Sequence, residues 1–409
     1  MRFECPSSTR RFESVSGPLV WAQAAIALCL ALGVSCAHAP IVPRGPSRLD
    51  PAVSNPEIRQ RLILVGDAGL LEGGRRTLTA IGDLIASDPK LGQRTALVFL
   101  GDNIYPHGRG LKANKPHAAR VLNAQAHSGR GAREVIFIPG NHDWDDAARQ
   151  APFSEAVATL ETMGRYLENS ERTAPAKMLP RAGCAGPAIR QLDGLKLIVL
   201  DSEWWMQPET QRSIWAREQG CAGASEREVL DILAAELRCK DPSRCDPRIV
   251  VAHHPLETRG EHGGYFPWHE HLLCGGKLPL PILCSFYVLA RQHGLTHHDT
   301  SAKRYQHFVA SIEGALWDAP PLVYAAGHEH TLQVLRGRYS DYQLVSGSGS
   351  KRGPVAASPG TLFAQGEHGF MLIDVLKSGR ITLRVHSLGP DGEPGVPAYG
   401  IDLRPAPGP

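Results

Sequence analysis

The strongest constraint on this chain of 409 residues is a set of five short polar motifs, each placed at the end of an apolar, β-rich run. They are Gly-Asp-Ala-Gly at 66–69, Gly-Asp-Asn-Ile-Tyr at 101–105, Gly-Asn-His-Asp at 140–143, Val-Val-Ala-His at 250–253 and Gly-His-Glu-His at 327–330. Only the third motif is separated from its run, by Pro139. Continuous apolar runs are typical of strands buried on both faces. Polar residues at the ends of such strands meet at one rim of a sheet, where open α/β sheets bind ligands.

Helical patterns lie between the apolar runs. The predicted strands are residues 62–65, 96–100, 135–138, 195–200, 249–252 and 322–325. The predicted helices are residues 75–86, 153–167, 226–238 and 301–316. This alternation predicts a layered α/β fold. Further apolar runs at 343–346, 369–375 and 381–385 predict that the last third of the chain completes a second sheet packed on the first.

The residue types in the motifs are those that hold two neighbouring metal ions. Two ions about 3.5–4 Å apart need a bridging anion, and Asp102 is predicted to bridge because a carboxylate can bind one ion with each oxygen. Tyr105, three residues later, can bring a phenolate to the same ion, and a phenolate suits Fe(III). Asn141 offers a neutral amide oxygen, which suits an ion of lower charge.

Three histidines supply the nitrogen ligands of the predicted site. His328 and His330 flank one residue, so a turn can point one imidazole at each ion, and His253 completes the second, softer site. A lone Gly-Asp after a strand is most often a turn or a helix cap. The metal prediction therefore depends on all five motifs occurring in order at strand ends.

The motif set resembles the calcineurin-like metallophosphoesterases and, within them, the purple acid phosphatases. Asp-x-Gly at 67–69, in place of Asp-x-His, and the tyrosine at the end of 101–105 carry that resemblance. The segments 327–333 and 346–349 resemble the small animal-type enzymes. The resemblance covers residues from about 62 to 388 and implies a four-layer αββα sandwich of two mixed β-sheets flanked by helices.

The resemblance also implies a ligand set for each ion. The implied ligands of Fe(III) are Asp67, Asp102, Tyr105 and His330. The implied ligands of the second ion, Fe(II), Zn(II) or Mn(II), are Asp102, Asn141, His253 and His328.

A substrate loop is implied by Gly-Glu-His-Gly at 260–263, which resembles the Glu-His loop of the family. It makes His262 the second active-site histidine beside His142, which is implied to contact the phosphate. His254 stands where the resembling small enzymes carry tyrosine, and the stretch from His262 to His328 is longer than theirs. The predicted substrate-binding residues are Asn141, His142, His254, Glu261 and His262.

The predicted reaction is hydrolysis of phosphate monoesters by a metal-bound hydroxide, with acid phosphatase-like activity and with Asp102, His142 and His262 as catalytic residues. A phosphodiesterase or nucleotidase on the same metal core stays open, because the motifs do not encode the leaving group. A non-catalytic surface lipoprotein that binds phosphate or metal is the alternative from another class. The formal net charge of +3 is small and no Lys/Arg run stands out, so a small phosphate ester is the expected partner, not a nucleic acid.

The N-terminal residues predict export. Arg10 and Arg11 precede an apolar stretch at 19–34, which is short for a membrane span and typical of a signal peptide. Lipid attachment at Cys36, cleavage after Ala-His-Ala at 37–39 and an uncleaved anchor all remain open, with lipid at Cys36 as the expected membrane contact. The predicted location is the periplasm or cell envelope, with a lipid-anchored outer-membrane lipoprotein as an open alternative. The predicted organisation is a signal at 1–39, a Pro-rich tether at 40–57, a catalytic domain at 58–389 with an insertion near 258–316, and a Pro/Gly-rich tail at 390–409.

The cysteines fit the same compartment. Six follow the predicted signal: Cys184, Cys221, Cys239, Cys245, Cys274 and Cys284. An even number is consistent with up to three disulfides in an oxidising environment. The closest in sequence are Cys239 and Cys245, and Cys274 and Cys284, but six cysteines allow fifteen pairings, so connectivity stays open.

Overall fold

The computed structural model of the chain describes residues 55–112, 115–144, 152–169, 175–239, 241, 245–274, 278–389 and 396–405. The predicted signal, most of the predicted tether and half of the predicted tail lie outside these ranges. Among the described residues, no helix combines the length and apolar character needed to cross a membrane.

Sixteen strands lie within the described ranges. In chain order they are β1 (Ile58–Val65), β2 (Thr95–Phe99), β3 (Glu134–Phe137), β4 (Ala176–Met178), β5 (Ala188–Leu192), β6 (Leu195–Val199), β7 (Arg248–Val251), β8 (Leu273–Cys274), β9 (Leu278–Pro279), β10 (Val323–Ala326), β11 (Leu332–Arg336), β12 (Tyr342–Ser346), β13 (Thr361–Gln365), β14 (Gly369–Leu376), β15 (Ile381–Ser387) and β16 (Tyr399–Arg404).

Two mixed sheets of seven strands form the centre of the fold. The first has the order β16-β15-β14-β1-β2-β3-β4, and the second has the order β13-β11-β12-β10-β7-β6-β5. The inner strands β1, β2 and β3 are parallel to one another, as are β6, β7, β10 and β12. The short pair β8 and β9 lies apart, within the predicted insertion.

Ten α-helical segments are described. They are α1 (Leu71–Ala86), α2 (Pro89–Gly92), α3 (Arg109–Lys112), α4 (Pro116–Ser128), α5 (Phe153–Glu168), α6 (Glu203–Met206), α7 (Glu209–Glu218), α8 (Glu226–Leu237), α9 (Pro281–Gln292) and α10 (Lys303–Leu316). Helix α8 begins with a capping box, because the Ser225 side chain accepts from the backbone of Glu228 and the Glu228 side chain reaches back.

The layers follow from the alternation of side chains along the strands. In β1, Leu62 and Leu64 pack between the sheets with residues such as Ile249, whereas Ile63 and Val65 pack against the helices. Helices α1, α4 and α5 cover the first sheet, and α6, α8 and α10 cover the second. The predicted four-layer αββα sandwich of two mixed sheets is therefore confirmed.

The last third of the chain divides between the sheets, which differs from the prediction. Strands β11 to β13 join the second sheet as expected, but β14 pairs with β1 and extends the first sheet through β15 and β16. An apolar run buried on both faces indicates a strand without naming its partner. Strand β16 also carries the first sheet past the predicted domain boundary at 389, into the predicted tail.

Two disulfides join described cysteines, Cys184 to Cys221 and Cys239 to Cys245. Cys284 is disulfide-bonded as well. The pairing had been left open: Cys239–Cys245 is one of the two pairs closest in sequence, whereas the Cys184–Cys221 bridge spans 37 residues and had no sequence signal of its own.

Candidate metal centre

The two sheets approach each other closely at the rim that carries the motifs. A side chain on Gly66 would place its Cβ 2.9 Å from Cα of Gly327, so glycine is required where these loops meet. The backbone N–H of Gly66 donates to the carbonyl of Ser346, at 2.6 Å, and the Ser346 hydroxyl donates to the carbonyl of Leu64. These contacts bring motifs from both sheets to one point.

Three predicted ligands have left-handed backbone conformations directly after their strands. The φ angles of Asp67, Asp102 and His328 are 57°, 55° and 67°. Such conformations cost about 1–3 kcal/mol for residues other than glycine and cluster at functional sites. Here hydrogen bonds hold them: the N–H of His328 donates to Oδ2 of Asp67 at 2.8 Å, and the N–H of His142 donates to Oδ1 of Asp102 at 3.0 Å.

The four residues predicted to hold Fe(III) meet around the hydroxyl of Tyr105. This hydroxyl donates to Oδ1 of Asp67 and Oδ2 of Asp102, both at 2.9 Å, and lies 3.4 Å from Nε2 of His330. Nε2 of His330 is 3.6 Å from Oδ1 of Asp67. The carboxylates, the phenol and the imidazole thus point at a common position.

The second predicted ligand group lies beside the first. Oδ1 of Asn141 is 2.9 Å from Nε2 of His253 and 3.1 Å from Nδ1 of His328, and these two nitrogens are 3.3 Å apart. Oδ1 of Asp102 lies 3.4 Å from Nε2 of His253. Asp102 therefore presents one oxygen to each group, as a bridging carboxylate would.

Backbone carbonyls fix which ring nitrogen of each buried histidine faces the site. Nδ1 of His253 lies 2.8 Å from the carbonyl of Leu100, and Nε2 of His328 lies 2.9 Å from the carbonyl of His298. A donated N–H on that side leaves a lone pair on the other nitrogen. Metal-binding histidines make this kind of contact, because it fixes the tautomer and the ring orientation.

The electrostatics of the cluster also fit bound cations. Burial raises the pKa of Asp67 well above its usual range, and the charge of Asp102 raises it further. Burial, with both carboxylates, raises the pKa of the Tyr105 phenol well above its usual value. Burial lowers the pKa values of His328 and His330 well below the ordinary value, so both rings are neutral. Buried anionic oxygens are costly without a cation, and oxygen donors with neutral imidazoles suit transition metals.

Asp143 locks two of the ligand loops together. Its carboxylate accepts from the backbone N–H groups of Asn103, Ile104 and Gly140, and Asn103 also donates to it through its side chain. The loop after β2 and the loop after β3 are thus held in one arrangement. The sequence motif contained Asp143 but indicated no role for it.

His142 lies at the open side of the two groups. Its side chain is 26% exposed, its Nε2 lies 3.8 Å from Oδ2 of Asp102, and its Nδ1 lies 2.6 Å from the carbonyl of Pro106. Lys351 also lies at this site, with Nζ 3.3 Å from the centroid of the Tyr105 ring. No sequence pattern indicated Lys351, although it lies two residues after the Ser-Gly-Ser-Gly segment at 346–349.

His262 lies beside the second ligand group, near the start of the predicted insertion. Its ring centroid is 4.2 Å from that of His328, and its Nδ1 is 2.8 Å from Oδ1 of Asp299. Arg291 binds the same carboxylate through Nε and Nη2, at 3.0 and 2.8 Å, and its Nη1 lies 3.3 Å from Oε2 of Glu261. The insertion therefore supplies residues that hold the predicted substrate loop in place.

Glu329 ties the same loop to the metal motif. Its Oε2 accepts from the N–H of His262 at 3.0 Å and from the hydroxyl of Thr258 at 3.2 Å. Glu329 lies between two predicted ligands in the Gly-His-Glu-His motif, so its position in the sequence was the available signal. No pattern in the sequence pointed to Asp299 or Arg291.

His254 is brought to the second ligand group but has no exposed surface. Its ring centroid lies 4.5 Å from that of His328, its Nδ1 lies 2.9 Å from the hydroxyl oxygen of Ser202, and its Nε2 lies 3.7 Å from Oε2 of Glu203. Contact between His254 and a substrate stays a prediction.

A sandwich of two mixed sheets, with carboxylate, amide and imidazole groups gathered at one rim, defines the class of metal-dependent phosphoesterases. The profile of the family "Calcineurin-like phosphoesterase" matches residues 60–332 of this chain, and the chain belongs to that family. No curated protein matches the sequence.

Solved structures are similar to this chain at low sequence identity. GAP50 of Plasmodium, described as the anchor in the inner membrane complex, is 16% identical with a TM-score of 0.53, covering 85% of this chain and 89% of that one. The purple acid phosphatase of yellow lupin seeds is 13% identical with a TM-score of 0.49, covering 84% and 53%. A dimetal phosphatase of Danio rerio is 12% identical with a TM-score of 0.41, covering 85% and 99%.

Proposed function

We propose that the protein is a dinuclear phosphatase of the purple acid type, which hydrolyses small phosphate monoesters. The observation that carries the proposal is the position of Asp102, with one oxygen 2.9 Å from the Tyr105 hydroxyl and the other 3.4 Å from Nε2 of His253. Asp67, Tyr105 and His330 complete the group proposed for Fe(III). Asn141, His253 and His328 complete the group proposed for Fe(II), Zn(II) or Mn(II).

Ions held there would neutralise phosphate oxygens and lower the pKa of a water molecule. The residues around them position the ester. His142 presents its Nε2 on the open side of Asp102, where a phosphate oxygen would lie. His262 has Nδ1 engaged by Asp299, so its Nε2 is the nitrogen left to give a proton to the departing alcohol oxygen. General acid assistance of this kind is typically worth about 10²–10⁴ in rate.

A substrate panel tests this function against its alternatives. Purified protein loaded with iron and zinc is assayed on p-nitrophenyl phosphate, bis(p-nitrophenyl) phosphate and a nucleoside 5′-monophosphate. Faster turnover of the simple monoester supports the proposal. Preference for the diester or for the nucleotide would favour the phosphodiesterase or nucleotidase, and bound ions without turnover of any ester would favour a non-catalytic phosphate- or metal-binding protein.

The proposed location is outside the cytoplasm, in the periplasm or cell envelope. The disulfides Cys184–Cys221 and Cys239–Cys245 support this, because such bridges persist in oxidising compartments. Fractionation of the native cell, with mass analysis of the mature N-terminus, distinguishes lipid at Cys36 from ordinary cleavage. Recovery of the full-length, reduced chain from the cytoplasm would contradict export.

A further inference from the structure

Next to the two-metal centre lies a second cluster of potential ligands, formed by Glu203, His254 and His298. Glu203 is the first residue of α6, which follows β6, His254 follows β7, and His298 belongs to the predicted insertion. One ligand atom of each residue lies within 4.8 Å of the others. The cluster is not part of the predicted ligand set, and it connects three segments far apart in the sequence.

The spacing of these atoms is that of ligands around a shared ion. Oε2 of Glu203 lies 3.7 Å from Nε2 of His254 and 3.8 Å from Nδ1 of His298. Both distances exceed the roughly 2.7–3.2 Å of a hydrogen bond. Two ligands about 2.1 Å from one ion lie roughly 3.4 Å apart at the tetrahedral angle, and further apart at wider angles. In the two-metal centre, the corresponding distances between ligand atoms of neighbouring residues range from 2.9 to 3.6 Å.

His254 can bind a metal ion through Nε2. The residue is completely buried, and its Nε2 has no hydrogen-bond partner among the described residues. Its Nδ1 faces the Ser202 hydroxyl oxygen at 2.9 Å, and the same oxygen accepts from the backbone N–H of His254. With a proton on Nδ1 donated to Ser202, the lone pair of Nε2 points toward Glu203.

We propose that Glu203, His254 and His298 form a third metal site, for a divalent transition ion. Two imidazoles and one carboxylate are a donor set that zinc takes, with a fourth position left for water. On this proposal His254 is a ligand and not a substrate contact. The carbonyl of His298 accepts from Nε2 of His328, so the third site touches the second ligand group directly.

The role of the third ion is to hold the insertion against the sheet edge. His298 precedes Asp299, the residue that engages His262. An ion that joins His298 to Glu203 and His254 would fix this segment relative to β6 and β7. The proposal does not depend on the phosphatase activity, because it concerns where an ion binds.

Metal counting on the folded protein tests the proposal. Purified full-length chain is equilibrated with Zn(II), freed of excess metal, and analysed for ions per chain by plasma mass spectrometry. We expect three ions in the wild type and two in each of the variants Glu203→Gln and His298→Ala. The matched variant His269→Ala changes a half-exposed insertion histidine and should keep three ions.

The other outcomes overturn the proposal in distinguishable ways. Two ions in the wild type would remove the third site and leave the proposed phosphatase intact. Three ions in both variants would place the additional ion elsewhere. Loss of all ions from both variants would also contradict it, because neither residue belongs to the two-metal centre. A wild type without bound ions would overturn the proposed function as well.

Discussion

Nδ1 of His262 lies 2.8 Å from Oδ1 of Asp299, and Arg291 holds the same carboxylate with two further hydrogen bonds. Burial opposes ionisation of Asp299, but the contacts with His262 and Arg291 outweigh it and lower the pKa of Asp299 to about 2. The carboxylate therefore stays ionised at any pH where the protein would work. It can orient the His262 ring through its contact with Nδ1.

The contact between His262 and Asp299 predicts how the rate of hydrolysis depends on the leaving group of the ester. His262→Ala should slow hydrolysis of alkyl phosphates about 10²-fold, because a poor leaving group needs a proton. Aryl phosphates should be affected far less. Asp299→Asn should lower the ratio of alkyl to aryl hydrolysis rates as well, but by a smaller factor, because the imidazole remains and only its orienting charge is lost. The measurement is kcat/KM for both ester types.

A matched control separates this effect from general damage. Asp231→Asn changes an aspartate whose side chain is 74% exposed on α8, far from the described ligand groups in sequence, and should leave the ratio unchanged. Metal content should be unaltered in all three variants. Equal losses on alkyl and aryl esters in His262→Ala would mean that His262 positions the phosphate and does not donate a proton.

The bridging position of Asp102 predicts a loss of both ions. Asp102→Ala removes the oxygen near Tyr105 together with the oxygen near His253. Substitution of outer-shell residues typically costs 10–100-fold in metal affinity, so removal of a shared ligand should cost more than about 100-fold for each ion. Ion content after dialysis measures this, with Asp193→Ala, on a half-exposed side chain, as the control. An Asp102→Ala protein with its full ion content would refute the bridge.

Tyr105 predicts the colour of the protein. A phenolate on Fe(III) gives a charge-transfer band in the visible, so the oxidised wild type should be purple to pink. Tyr105→Phe keeps the ring, which lies beneath Lys351, but removes the oxygen that faces Asp67 and Asp102. The band should disappear while much of the activity remains. A variant that keeps the band would show that another residue supplies the iron charge transfer.

His386 predicts part of the acid sensitivity of the fold. Burial, followed by the charges of Arg384 and Arg61, lowers the pKa of His386 to about 4, against about 6.5 in an unfolded chain. Between these values the unfolded state binds more protons. The stability that the neutral His386 contributes to the fold is therefore fully present above pH 6.5 and is lost as the pH falls toward 4. At most it reaches about 3 kcal/mol in the free energy of unfolding.

His386→Phe should remove this dependence, because phenylalanine does not titrate. The new ring can still stack on Phe370, whose ring centroid lies 5.0 Å from that of the imidazole. Urea unfolding at several pH values gives the difference in stability between wild type and variant. That difference should shift by a few kcal/mol between pH 6.5 and 4. The variant His269→Phe should follow the wild type. Parallel pH curves for wild type and His386→Phe would show that His386 is not the titrating group.

That the motifs gather at one rim could be predicted from the sequence, because each is attached to a strand end. Strands β1, β2 and β3 are parallel neighbours, so Asp67, Asp102 and Asn141 necessarily emerge at one edge. What the pattern did not contain was the backbone conformation. The left-handed φ angles of Asp67 and Asp102 depend on contacts made only after both sheets assemble.

The supporting residues could not be predicted for a different reason. Asp299 and Arg291 belong to the insertion, where no strand end fixes their direction, and they meet His262 from about 30 to 37 positions away in sequence. The placement of β14 beside β1 has the same origin, since pairing partners are set by assembly and not by local pattern. The sequence thus indicated which polar side chains gather at this rim but not the residues that orient them.

Metal removal and reconstitution test the central claim most directly. Protein stripped with a chelator should not hydrolyse p-nitrophenyl phosphate, and addition of iron and zinc should restore hydrolysis to the wild type but not to Asp102→Ala. Stripped wild-type protein that keeps its full turnover, or reloaded protein that binds ions at the Asp102 centre without turnover, would contradict the assignment of this rim as a two-metal phosphatase centre.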